Sequence, residues 1–223
     1  MVVTRLLGYS YRLIVLSNYQ LSWTQALQII VLWEFSSAIS PGIVGGSAAA
    51  FILLAKEKKI NAGKGTAIVL ATSYLDVLFY VLAAPFLWLF VKKSEVIPSH
   101  IDYVSGMQIQ YLFLGAYGLF LAWCILIFIG LFYKPQAIKM VVLWIFKLPG
   151  LLRYKNKVEN WGNNMVIAAS DFRNEPLSYW IKAFGGTLIA WISRFLLVNF
   201  LILALGNGAS VATIFAKQLV MWG

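Results

Sequence analysis

Residues 24–55 read TQALQIIVLWEFSSAISPGIVGGSAAAFILLA, an apolar run that is interrupted in the middle by Ser40-Pro41-Gly42 and again by Gly45-Gly46. A transmembrane helix needs roughly 20 apolar residues. The two halves of the run have about 16 and 14 residues, so neither is long enough to cross a bilayer alone. The run therefore forms either one broken span or a re-entrant hairpin, and the topology of the whole chain depends on which.

The composition around this run places the chain in a membrane. Of its 223 residues, 61% are hydrophobic and 12% are charged, with a mean hydropathy of +0.80. Soluble domains carry roughly 25% charged residues. The net charge of +10 lies mostly between apolar runs, which indicates an anionic membrane surface as partner and excludes nucleic acid. A lone Cys124 and a lone His100 indicate no intrachain disulfide, no metal site and no cofactor.

Three further runs, 66–91, 110–133 and 184–205, are long enough to cross the bilayer as helices. Residues 136–150 are shorter, carry two lysines and end at Pro-Gly, which is typical of a helix lying in the membrane interface. The expected fold class is all-α, a polytopic transmembrane helical bundle with a broken or re-entrant helix pair around residues 24–55. Residues 1–223 form a single membrane domain in this interpretation.

The distribution of basic residues favours the hairpin. Arg5 and Arg12 precede the interrupted run, four lysines lie within 56–64, and eight basic residues lie within 134–183. With a hairpin, fourteen of the eighteen basic residues fall on one side, which the positive-inside rule makes cytoplasmic. A single broken span would place Arg5 and Arg12 outside. We therefore expect a multi-pass protein of a bacterial inner membrane, with cytoplasmic loops 56–64 and 134–183 and a surface segment at the N-terminus.

Residues 153–183 are the one stretch with soluble character. Apolar residues recur there at three- and four-residue steps, which predicts an amphipathic helix, and Asn174 and Pro176 then predict the start of another helix. A cytoplasmic helix that lies on the bilayer or the bundle is favoured over a catalytic module. The stripe consists of Val158, Trp161, Met165, Ala168 and Phe172.

Ser40-Pro41 is a compact helix-start signal, because serine is a good N-cap and proline suits the first helical position. A helix that begins inside a membrane offers free backbone N–H groups and the positive end of its dipole to an anion. A phosphate-bearing head group is the natural ligand, with Ser40, Pro41, Gly42, Gly45 and Gly46 as candidate contacts. The glycines also have a purely structural interpretation, since small residues four apart let helices pack closely.

Three ionisable residues fall inside apolar runs, namely Glu34, Asp76 and Arg194. Each costs roughly 2.5–3.5 kcal/mol or more at the bilayer centre unless it is paired or hydrated, so all three are expected to face inward. Asp76 and Arg194 both lie about ten residues into their predicted spans, which suggests similar depth and a direct pair. That pair can be a structural salt bridge or part of a site for a lipid phosphate.

Residues 34–76, EFSSAISPGIVGGSAAAFILLAKEKKINAGKGTAIVLATSYLD, resemble the flippase-like membrane region of the lysylphosphatidylglycerol synthase family. That family typically has a Pro-Gly-Arg-x-Gly-Glu motif after an apolar run, then a basic loop and an aspartate in the next span. Pro41, Gly42, Gly45 and Asp76 match this pattern, and Arg194 resembles an arginine of a later family helix.

Two positions depart from the motif, with Ile43 in place of its arginine and Gly46 in place of its glutamate. A head-group contact made by those two charges is therefore not carried over to this chain. Members of the family are usually longer, which leads us to expect that the chain is one part of a larger bundle.

The resemblance implies binding or translocation of an anionic phospholipid, because the membrane region of the best-understood relatives is thought to move aminoacylated phosphatidylglycerol between leaflets. A separate soluble domain makes that lipid, so no enzymatic activity is expected from this chain. Two alternatives stay open: a non-transporting scaffold or regulator of an envelope lipid or glycolipid enzyme, and the membrane part of a transferase whose catalytic domain lies elsewhere.

Overall fold

A computed structural model describes residues 1–39, 43–57, 60–90, 106–145 and 155–204, together with 211, 214, 215 and 218. Its regular elements are all helical within these residues, as the sequence predicts. A short π-helix, Ile129–Tyr133, continues the helix that ends at Phe128. The α-helices are α1 Val2–Leu16, α2 Trp23–Ile39, α3 Ile43–Lys56, α4 Ala62–Phe90, α5 Gly106–Phe128, α6 Pro135–Ile145, α7 Lys155–Asn174 and α8 Leu177–Ala204.

Three helical segments are long and apolar enough to cross a membrane: Ala62–Pro85, Leu114–Tyr133 and Leu177–Ala204. They confirm the three predicted spans. The last helix begins seven residues before the predicted boundary at 184, immediately after Pro176. This agrees with the helix start that Asn174 and Pro176 predict. Lys182 lies in this first part, and a single lysine near a helix end can extend its charged group to the interface.

The interrupted run forms two helices, α2 and α3, that pack against each other. Near the connecting residues, Gly46 of α3 lies against Ser37 and Trp33 of α2. At the opposite ends of the two helices, the Gln25 side chain donates to Glu57 Oε2 at 2.9 Å. The pair is therefore an antiparallel helical hairpin. Residues 40–42, where the sequence predicts the break, lie outside the described residues.

The polar connections gather at one end of the bundle. The Asn18 side chain donates to Glu175 at 3.0 Å, and Lys64 Nζ donates to Gln20 at 3.1 Å. A Cβ added to Gly63 would lie 2.5 Å from the backbone nitrogen of Met165, so the start of α4 touches α7 closely. We call this the polar end, defined by the described residues within 17–25, 56–64 and 155–176.

Helix α7 confirms the predicted amphipathic stripe. Met165, Ala168 and Phe172 are buried, whereas the alternate face is exposed. The Trp161 indole N–H donates to Thr66 Oγ1 of α4 at 2.9 Å. Helix α7 therefore lies on the polar end of α4 and also packs on α6, the short helix predicted for the interface; residues 146–150 of that prediction lie outside the described part.

The surface position predicted for the N-terminal segment is wrong. All residues of helix α1 from Gly8 to Leu16 except Tyr11 are buried, and the helix packs antiparallel along α8. A Cβ on Gly8 would lie 2.9 Å from the Gly186 carbonyl oxygen, so the two backbones are in contact. Helices in membranes associate through such small residues, because close backbone approach maximises van der Waals contact.

Candidate functional site

Asp76 of α4 forms an ion pair with a buried arginine. Arg12 Nη1 of α1 donates to Asp76 Oδ1 at 2.5 Å, and the Trp191 indole N–H of α8 donates to the same oxygen at 2.8 Å. The Arg12 side chain is 4% exposed and that of Asp76 is 29% exposed. Three helices thus meet at one carboxylate, which remains partly accessible on one side.

The local packing explains how Arg12 reaches this position. Its Cβ would lie 3.1 Å from a Cβ on Gly186, so only the absence of a side chain there lets α1 bring the arginine against α8. Thr187 Oγ1 accepts a second hydrogen bond from Arg12 Nη1 at 3.2 Å and donates to the carbonyl oxygen of Ala183 at 3.3 Å. The guanidinium is therefore fixed by an ion pair and a hydroxyl, which offset the cost of burying its charge.

Arg194 lies one helical turn beyond Trp191. Its guanidinium carbon is 5.2 Å from the centroid of the Trp191 ring, a cation–π contact. The same indole binds Asp76 through its N–H. Asp76 thus forms an ion pair with Arg12, a residue that the positive-inside count placed at the cytoplasmic surface. The predicted direct contact of Asp76 with Arg194 stays a prediction.

Glu34 of α2 is also paired. Arg5 Nη2 of α1 donates to Glu34 Oε2 at 2.5 Å, and the two side chains are 24% and 32% exposed. The positive-inside count included Arg5 and Arg12 among the cytoplasmic charges. Both arginines instead lie along a helix of the bundle and neutralise carboxylates.

These charges form one group around α1. Arg5 and Arg12 lie two turns apart on α1, and each forms an ion pair, with Glu34 and Asp76 respectively. Trp191 contacts both Asp76 and Arg194. All three ionisable residues that the sequence selected are therefore brought into one neighbourhood, together with two arginines. We call this set the charge cluster: Arg5, Arg12, Glu34, Asp76 and Arg194.

The hairpin residues have a mixed outcome. Ser40, Pro41 and Gly42 lie outside the described residues, so the anion seat predicted there stays a prediction. Gly45 and Gly46 lie in the first turn of α3. A Cβ on Gly46 would overlap the Ser37 hydroxyl of α2, so close helix packing accounts for a glycine at this position.

Arg5, Arg12, Thr187 and Trp191 are the residues that sequence reasoning missed. One signal pointed to the arginines: the apolar runs contain two carboxylates, Glu34 and Asp76, but only one arginine, Arg194. A charge balance inside the bundle needs more cations, and Arg5 and Arg12 lie in the otherwise uncharged segment VVTRLLGYSYRLIVL. Thr187 and Trp191 gave no such signal.

The sequence model of one protein family, the lysylphosphatidylglycerol synthase TM region, matches residues 1–222 of the chain. The chain belongs to this family. This family membership and the three apolar helices together identify the chain as a multi-pass membrane protein. No curated protein and no solved structure matches the chain.

Proposed function

We propose that the chain binds an anionic phospholipid and carries its head group through the membrane along the charge cluster and the hairpin of α2 and α3. The observation that carries this proposal is the charge cluster itself. Five ionisable side chains lie on four apolar helices, and each would cost roughly 2.5–3.5 kcal/mol or more at mid-membrane without a partner. Intramembrane charges of this kind commonly mark substrate pathways.

The depth of the cluster fits a passage across the bilayer. Asp76 follows the start of α4 by fourteen residues, about 21 Å of helix. Arg194 follows the start of α8 by seventeen residues, about 25 Å. With the polar end at one surface of a ~30 Å hydrocarbon core, both side chains lie beyond the midplane of that core.

The hairpin supplies the second element of the proposal. Helices α2 and α3 have 17 and 14 residues, too few for either to cross a ~30 Å core upright, and both open ends lie at the polar end. We therefore infer a re-entrant pair whose inner ends, at Ile39 and Ile43, lie inside the membrane. The start of α3 would then direct its dipole and free N–H groups toward a phosphate, next to Glu34 and its arginine.

The members of the cluster have different roles in this proposal. Arg12 is enclosed and acts through Asp76, whereas Arg194 lies on the partly exposed surface of α8. A lipid phosphate would contact Arg194. The negative charge of Asp76 would weaken this binding enough for the phosphate to be released. The polar end is cytoplasmic in this proposal, because twelve basic residues fall within 56–64 and 134–183.

The test is transport of fluorescent phosphatidylglycerol in proteoliposomes, followed by dithionite quenching of the outer leaflet. Arg194→Leu should abolish lipid movement and leave membrane insertion intact, and Arg194→Lys is the matched control that keeps the charge. Transport by Arg194→Leu at the wild-type rate would refute the role of this residue.

A second candidate function, a scaffold or regulator of a lipid enzyme, is favoured by the burial of Arg12. An arginine enclosed by a carboxylate and a threonine has the contacts of a structural salt bridge. If the cluster is structural, the exchanged pair Arg12→Asp with Asp76→Arg restores the function lost in each single variant. A transport pathway does not tolerate the exchange. In neither case do we expect aminoacyl-transfer activity from this chain.

A further inference from the structure

An apolar groove lies beside α4 and α8, and no member of the charge cluster is among its lining residues. It has a volume of about 690 Å³ and lies between α4, the end of α5 with its π-helix, and the first half of α8. Its walls include Leu75 and Leu78 of α4, Phe132, and Phe184 and Leu188 of α8. Its volume and apolar lining are those of a small-molecule site.

Among the described residues that line the groove, the charged ones lie at one end. Arg173 and Glu175, from the end of α7 and the turn that follows, line its mouth at the polar end. The Arg173 guanidinium lies 5.6 Å from the centroid of the Tyr133 ring on the opposite wall, so the arginine reaches across the opening. Glu175 is held in place by the amide of Asn18 at 3.0 Å, a neutral partner that leaves its charge available.

The length of the groove matches one leaflet. Its wall on α8 extends from Leu177 to Leu188, a rise of eleven residue steps or about 16 Å of helix. That is about half of a ~30 Å hydrocarbon core. A molecule whose charged part lies at the surface and whose apolar part reaches the membrane centre therefore fits it from end to end.

We infer that the groove binds a phospholipid of the leaflet at the polar end, with one acyl chain along α8 and a head group that carries both a phosphate and an ammonium. Arg173 contacts the phosphate and Glu175 contacts the ammonium. A purely anionic head group is disfavoured, because the Glu175 carboxylate would repel it. This site is separate from the charge cluster, and the inference does not depend on transport.

Gly185 offers a specific way to close the groove. It lines the groove, and a Cβ added there meets no atom within 4 Å. A larger side chain at 185 therefore fills the groove without moving the backbone. Gly118 of α5 is the matched control, because a Cβ there also meets no atom within 4 Å and the residue is not in the groove lining.

The experiment is native mass spectrometry of the delipidated chain in detergent, titrated with phosphatidylethanolamine and with phosphatidylglycerol of identical acyl chains. We expect the wild type to prefer phosphatidylethanolamine. Gly185→Leu should abolish this binding and Gly118→Leu should leave it unchanged. Arg173→Gln should weaken binding of both lipids by about tenfold, the cost of one charge-assisted contact. Glu175→Gln should remove the preference between them.

Equal binding of the two lipids by the wild type would overturn the head-group assignment, and undiminished binding by Gly185→Leu would overturn the site. Arg194→Leu separates this inference from the proposed function. That variant should lose transport and retain phosphatidylethanolamine binding, whereas Gly185→Leu retains Arg194 and loses the bound lipid.

Discussion

At the scale of single residues, two charges that would each destabilise an apolar bundle are neutralised as an ion pair. Arg12 and Asp76 are each expensive within an apolar bundle, yet together with Thr187 and Trp191 they leave the carboxylate with two donors and the guanidinium with two acceptors. Removing one member of a buried pair is much worse than removing both, because the remaining charge has no partner. The stability of the bundle therefore depends on matching at this position.

This asymmetry gives a stability prediction. Asp76→Asn should lower the free energy of unfolding by about 3–5 kcal/mol, because Arg12 stays buried without its counter-charge. The double variant Arg12→Met with Asp76→Leu should recover most of that loss. Thermal unfolding in detergent micelles measures both changes, and a double variant no more stable than Asp76→Asn would contradict the explanation.

At the scale of elements, the hairpin of α2 and α3 depends on a contact without room for a side chain. A Cβ on Gly46 would overlap the Ser37 side chain and lie 3.2 Å from the Trp33 ring. Ala50, one turn further along α3, is fully buried. The two helices can pair only where both backbones approach closely, which is why small residues mark this face.

Gly46→Ala should therefore destabilise the chain by about 1–3 kcal/mol, the usual cost of overpacking. The compensating change Ser37→Gly should relieve the overlap and restore part of the loss. Gly118→Ala is the control on α5, where added volume meets open space. Equal thermal shifts for Gly46→Ala and Gly118→Ala would show that the contact at Gly46 is not limiting.

At the scale of the whole molecule, the helix ends sort to one side. The loop after α1, the two open ends of the hairpin and helix α7 all meet at the polar end. Because Asn18 precedes the hairpin and Lys56 closes it, both open ends of the hairpin lie at the same end of the bundle. This arrangement is what the re-entrant interpretation requires and what a single broken span forbids.

Single cysteines test that arrangement. In a Cys124→Ser background, Asn18→Cys, Lys56→Cys and Ser170→Cys are exposed positions near the polar end. An impermeant maleimide should label all three in inside-out membrane vesicles and none in right-side-out vesicles. Labelling of Asn18→Cys and Lys56→Cys from opposite sides would show that residues 24–55 cross the membrane once.

The sequence predicted the features that depend on local pattern. Apolar runs identified α4, α5 and α8, and a three- and four-residue period identified the buried face of α7. It did not predict the position of α1, because the contacts that bury this helix join residues far apart in the chain: 64 positions separate Arg12 from Asp76, and 175 separate Arg12 from Thr187. A single sequence gives no direct record of such pairs. The anion seat at residues 40–42 stays a prediction.

The close contact of α1 with α8 has a consequence for biosynthesis. Arg12 leaves the ribosome long before Asp76, and the glycine that admits it against α8 is made later still, so the arginine needs a temporary polar environment during insertion. We expect nascent chains arrested before α8 to leave residue 12 accessible to a water-soluble probe, and chains released after α8 to protect it. The last long helix would thus complete the burial of the first.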